Sequence, residues 1–295
     1  MFKKLLVSKL VPVLLSVLSA VAVPAAHAAE PLTLKVYNAD AGSFHVNSVL
    51  VSGETEAVVI DAGFTRADAH RIAANVLDSG KTLTTIYVSQ ADPDFYFGVE
   101  VLKRIFPKVV VLTSSAVLEK IEAKLPAKVA FWGPKMGVNA PQNPVLPTLF
   151  EGDKLLVDGQ ALELHGLTGE LAHRPYIWIP SLHAVVGSVA VFGDLHVWTA
   201  DVQKNSARKA WIAQLDEMES MDPAIVVPGH MKAGTSLDVN TIRYTRNYLQ
   251  RFYKMADSAK SSAELIDGMK AAYPDAGLGI ALDIGSKVAT GEMAW

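Results

Sequence analysis

The residues best equipped for chemistry in this chain fall where strands are expected to end. Asp61 follows Ala57-Val58-Val59-Ile60, the loop Gln90-Ala91-Asp92-Pro93-Asp94 follows a β-rich run over 84–88, and His230 closes Val226-Val227-Pro228-Gly229-His230. A fourth strand end, Val186-Gly187-Ser188, carries a hydroxyl. Strand ends along one edge of a sheet are where α/β proteins place ligands and reacting groups. Gln90 and Asp92 are two apart, so an extended segment puts them on one side. Pro93 then bends the chain and leaves Asp94 at the start of a helix, where the dipole favours a carboxylate. An ordinary helix-capping role would satisfy Asp94 equally well. Two carboxylates and an imidazole brought together have two uses: general acid–base work, or holding a divalent metal.

The elements that must position these groups alternate. Short strands are expected over 34–37, 48–51, 57–60, 84–88 and 109–112, with helices over 66–77, 95–105 and 114–124. Residues 127–150, rich in Pro, Gly and Asn and containing Phe131-Trp132-Gly133-Pro134, read as a long loop between two halves. The second half carries strands over 154–157, 161–165, 176–179, 184–186 and 224–227, and helices over 207–218, 240–256 and 262–272. Strand–helix alternation of this kind marks an α/β layer.

Half of the 295 residues are hydrophobic and 19% are charged, an ordinary globular balance. The formal charge is −3 with no basic stripe, which argues against a nucleic-acid partner. Lys3, Lys4 and Lys9 precede an apolar run over 10–23 and the small-residue pattern Pro24-Ala25-Ala26-His27-Ala28. This reads as a signal peptide cleaved near Ala28, and the run is short for a membrane span. A periplasmic or secreted protein without a stable membrane anchor is expected, with residues 29–295 as one domain ending in a helical segment from about 237. Loss of three lysines and no acidic residue takes the charge from −3 to −6. Cysteine is absent, so disulfides, thiolate ligands and cysteine nucleophiles are excluded.

The order of these motifs over about residues 33–232 resembles the metallo-β-lactamase superfamily. The resemblance is carried by Val58-Val59-Ile60-Asp61-Ala62-Gly63, Ser89-Gln90-Ala91-Asp92-Pro93-Asp94-Phe95 with Tyr96-Phe97-Gly98, Ile179-Pro180-Ser181, Val185-Val186-Gly187-Ser188 and Val226-Val227-Pro228-Gly229-His230. It implies a four-layer αββα sandwich with a metal site along one edge. Family enzymes use a Thr-His-x-His-x-Asp-His loop, a further histidine, a bridging aspartate and a final Pro-Gly-His. Here Gln90 and Asp92 stand at the first two histidine positions, Phe95 at the loop's last histidine, a residue near Thr168 at the further histidine and Ser188 at the bridging aspartate. Asp94 and His230 keep their family residue types, and Asp61 keeps an architectural aspartate.

Phenylalanine cannot ligate a metal and serine is a poor ligand, so the resemblance does not extend to a conventional dizinc site. Two expectations follow. One is a hydrolase of a small ester, lactone or amide with a single metal (Fe, Mn, Mg or Zn) held by Asp92, Asp94 and His230 with help from Gln90, and with Asp92 or Asp94 acting in catalysis. The other is a metal-free binding protein that keeps the fold and a pocket for a small molecule. Ser188, Thr168, Phe95, Tyr96, Trp132, Asp194 and His196 are candidate pocket residues. His173-Arg174 lies in the segment that brings the further histidine to the site, where Arg174 could supply a fixed cation or be an exposed loop residue. His45 lies on a first-half loop that could face the same edge.

Overall fold

The computed structural model describes residues 30–295 together with Met1, so the expected export leader after Met1 lies outside the described residues. In chain order the first half comprises β1 (Thr33–Asn38), β2 (Asn47–Ser52), β3 (Glu56–Ile60), α1 (Arg66–Ser79), β4 (Thr82–Val88), α2 (Pro93–Tyr96), α3 (Val99–Ile105), β5 (Val110–Thr113), α4 (Ser115–Met136) and β6 (Thr148–Leu149). The second half comprises β7 (Lys154–Val157), β8 (Gln160–His165), β9 (Tyr176–Ile179), β10 (Ala184–Gly193), α5 (Asn205–Ser220), β11 (Ile225–Met231), α6 (Asn240–Ala256), α7 (Ser262–Ala272) and α8 (Gly279–Ala289).

Two sheets stack, one ordered β1-β2-β3-β4-β5-β6 and the other β11-β10-β9-β8-β7. Each strand shows two faces by the period-two rule. On β3, Val58 and Ile60 enter the inter-sheet core with Ile177, Ile179 and Val186 of the other sheet. Ala57 and Val59 turn the opposite way, to pack with Ile72 and Val76 of α1 and Ile121 of α4. The outer face of the second sheet is covered by α5 and α6 through Trp211, Leu215, Tyr248 and Phe252, with α7 packed on α6 through Leu265 and α8 on α7. The result is the αββα sandwich expected from the resemblance.

Two local expectations are corrected. Residues 127–136 are not loop: α4 runs on through Pro126 and Pro134 to Met136. An interior proline costs a helix about 3 kcal/mol. Leu125, Val129, Trp132 and Met136, spaced by four, three and four, offset that cost by packing as one stripe against the first half's core. The helix expected over 95–105 is broken into α2 and α3. The Phe95 carbonyl accepts from Ala62 N–H at 2.7 Å, and Gly98 N–H donates to Gly63 O at 3.0 Å, so these backbone groups tie the loop to the end of β3 instead of to the next helical turn. Gly98 sits so tightly on the Ala62 carbonyl that a Cβ there would collide with backbone.

β10 is longer than expected and irregular, with register shifts on both sides of Ser188 where it pairs with β11. Gly187 adopts the left-handed conformation (φ +59°) at the first shift, facing Ile60 of the other sheet.

Candidate functional site

The ends of β3, β4, β10 and β11 meet at one edge. Asp61, in the left-handed region (φ +64°), accepts from Ser89 N–H and Oγ, both at 2.7 Å, and so anchors the loop after β4. Burial raises its carboxyl to about 7. These contacts brace the end of β3 against the loop after β4.

Beyond that brace, Asp94 and His230 come together, with His230 Nε2 3.6 Å from Asp94 Oδ2. His230 Nδ1 lies 2.9 Å from Phe44 O, so the ring donates there and turns its Nε2 lone pair toward Asp94. Phe44 and His45 are successive left-handed residues (φ +56° and +57°). That turn presents the Phe44 carbonyl to the ring, while the His45 carbonyl accepts from Met231 N–H. The imidazole stacks on Phe192 and meets the edge of Phe95, with centroids 5.1 and 5.3 Å apart. Burial lowers His230 to about 4, with repulsion from Arg174 and from a protonated His45 acting in the same direction. Burial first, and then the neighbouring Asp92 carboxylate, push Asp94 well above the usual carboxylate range. Both shifts favour the uncharged forms.

The pair lies on the floor of a cavity of about 320 Å³. Its walls are aromatic: Phe44, Phe64, Trp132, Phe192, Trp198 and Trp295. The helical C-terminal part helps cover it, since Leu278 lines it and Trp295 packs on Trp198 while donating from Nε1 to Asp201 Oδ1 at 2.7 Å. Charged groups are few. Asp92 is paired with Lys128 of α4 at 3.1 Å, and Arg174 is 2% exposed with its guanidinium 4.2 Å over the Trp211 ring.

Several sequence candidates lie elsewhere. Thr168 is exposed on its loop, and the cavity residue from that segment is Arg174. Ser188 is fully buried, its Oγ accepting from Ala190 N–H at 3.2 Å, and this strand offers Val189 and Phe192 to the cavity instead. Tyr96 points into the first half's core, Asp194 accepts from Thr235 at the surface, and His196 is buried against the Tyr248 hydroxyl. Gln90 lies beside a second cavity adjoining the first, its Oε1 held by the neighbouring Ala91 N–H. Phe95 and Trp132 do line the main cavity.

Sequence reading misses Phe44, Phe64, Lys128 and Leu278. For Lys128 a signal exists: Lys120, Lys124 and Lys128 recur every four residues, one face of a helix. The Pro and Gly content of the segment holding Lys128 reads as loop, which hides it. Phe44 and Leu278 come from turns with no local pattern.

Comparison with known proteins agrees with this architecture. Residues 41–230, more than half of the chain, match the family described as the metallo-beta-lactamase superfamily. The chain belongs to the metallo-β-lactamase superfamily. Among solved structures it is similar to a metallo-beta-lactamase family protein from Thermus thermophilus, at 18% identity over 88% of this chain and 91% of that one, with a TM-score of 0.60. It is also similar to a metallo-beta-lactamase from Pontibacter korlensis (18% identity, 75% and 95% covered, TM-score 0.51). A third is DIM-1 metallo-beta-lactamase exposed to ceftazidime (14% identity, 75% and 92% covered, TM-score 0.52). Identities this low speak for the shared fold alone. No curated protein matches the sequence.

Members of this hydrolase superfamily typically bind divalent metals such as zinc. Among the described residues, no three His, Cys, Asp or Glu side chains gather as a ligand set. The donor chemistry explains this. Asp94 and His230 remain, but Phe95 and Val189 are apolar, and Asp92 is drawn to an ammonium. The residues present do not fit the family's two-metal centre.

Proposed function

We propose that this protein binds a small apolar or aromatic molecule in the aromatic cavity, in a site that no longer depends on the superfamily's metal centre. One observation carries this reading. The cavity is walled by aromatic rings, and its floor is a buried pair whose surroundings favour neutral Asp94 beside neutral His230. A neutral carboxyl donates a hydrogen bond and a bare Nε2 accepts one, so the pair can orient one polar group of a ligand whose remainder is apolar. The same two groups can exchange a proton with it. The leader-like first 28 residues support a site of action in the periplasm or outside the cell.

A second reading is hydrolysis of a small ester, lactone or amide with one metal ion. It is favoured by the 3.6 Å approach of two side-chain types that ligate divalent metals. It needs a third protein donor, and the neighbouring carboxylate Asp92 is engaged with Lys128.

Elemental analysis of protein purified without chelator separates the two. The binding reading expects well below one equivalent of Fe, Mn, Zn or Mg per chain, unchanged in Asp94→Ala and His230→Ala. One equivalent that both substitutions abolish would reject it in favour of the hydrolase.

A further inference from the structure

Arg174 is the least explained charged group in the fold. It is 2% exposed, and among the described residues its guanidinium forms no ion pair. Its Nη1 is buried with no hydrogen-bond partner. Its position is fixed, since Arg174 N–H donates to Leu171 O at 2.7 Å, its carbonyl accepts from Gln214 Nε2 at 2.9 Å, and the Trp211 ring supports the guanidinium plane. Leaving a buried cation unpaired is among the costliest things a fold can do. The two carboxylates within electrostatic range do not close on it, because Asp92 is held by Lys128 and Asp201 by the Trp295 indole.

The surroundings point the same way. Arg174 lines both the aromatic cavity and the adjoining one, which lies on the lysine stripe of α4. That second cavity is bordered by Lys120, Lys124, Lys128 and Arg174 against only Asp92 and Asp201. A cleft with excess positive charge over low-dielectric walls concentrates anions. The aromatic cavity and this cationic one share Arg174, Asp92, Lys128, Asp201 and Trp295 in their linings.

The geometry points to an amphipathic organic carboxylate as the ligand: its carboxylate paired with Arg174 and drawn in past Lys120, Lys124 and Lys128, its apolar or aromatic body lying among Trp132, Phe192 and Trp198. Guanidinium matches carboxylate through two parallel N–H donors. This proposal rests on the binding reading above and adds the charge and head group of the ligand.

The test is calorimetric titration of the mature protein with 2-naphthoate and with its neutral counterpart 2-naphthamide. Naphthoate should bind at least about tenfold more tightly, in a manner that weakens as salt rises. Arg174→Gln should reduce the preference to within about twofold while keeping naphthamide binding. Should Arg174→Gln fail to fold by circular dichroism, the double variant Lys120→Gln/Lys124→Gln decides. It alters partly and fully exposed positions, and it should weaken naphthoate about threefold, flatten its salt dependence and leave naphthamide unchanged. Equal affinities for the two probes, or a charge preference that survives these substitutions, would overturn the carboxylate assignment and leave the apolar cavity standing. If neither probe binds, the binding reading and this inference fall together.

Discussion

Asp94→Asn separates two electrical descriptions of the buried pair. In one, Asp94 is a protonated acid beside neutral His230; in the other, a carboxylate faces an imidazolium. Both side chains are nearly inaccessible, and their 3.6 Å separation is longer than a hydrogen bond. Desolvation opposes either charge, Asp92 adds repulsion against a second carboxylate, and Arg174 and His45 oppose a cationic ring. Asparagine copies the shape and neutrality of a protonated aspartic acid. If the pair is neutral, the substitution removes at most one modest interaction, about 1 kcal/mol. If it is an ion pair, the substitution removes the carboxylate that keeps the ring protonated, at about 3–5 kcal/mol. In a protein of this size 1 kcal/mol moves Tm by roughly 2–4 °C. Urea unfolding and thermal melts at pH 7 should therefore show a loss near 1 kcal/mol and less than about 4 °C. A loss above about 3 kcal/mol, with His230 titrating near or above 7 by NMR, would refute the neutral pair and with it the hydrogen-bonding role given to the cavity floor.

Two further outcomes are expected. Burial, with Lys270 adding repulsion, lowers His196 to about 4 from an unfolded value near 6.5; a base with a depressed folded pKa leaves stability flat above 6.5 and erodes it as pH falls toward 4. Relative to His196→Gln, which can keep a partner for the Tyr248 hydroxyl, the wild type should lose about 2 kcal/mol between pH 7.5 and pH 4.5, other titrating groups cancelling in the difference; a gap that does not move with pH refutes the assignment. Gly98→Ala should destabilise by about 2–4 kcal/mol in denaturant unfolding, because the added methyl meets the Ala62 carbonyl and not a yielding side chain, and a change below about 1 kcal/mol would show that the loop can shift.

The parts of this protein legible in its sequence are those governed by local rules. The strand over 154–157 and the helices over 240–256 and 262–272 lie where residue order places them, because period-two and period-3.6 burial is written directly into it. Asp94 and His230 each follow a strand end legible in the sequence, and the two side chains lie 3.6 Å apart. Tertiary packing overrules the local reading where long-range contacts outweigh local propensity. Two prolines argue for a loop over 127–136, yet an apolar stripe against the core keeps that stretch helical and so delivers Lys128 to Asp92.

What the sequence determined by itself is the strand–helix alternation of an α/β layer, since that follows from residue type and spacing; the four-layer sandwich came from the family resemblance. What only the tertiary structure decided is how the edge is furnished. Trp198 and Trp295 from the second half, Phe44 and Phe64 from the first, and a buried Arg174 converge although the chain separates them. Their convergence is set by the stacking of two sheets and the helices that cover them, and no local pattern encodes which side chains that stacking leaves facing a shared space.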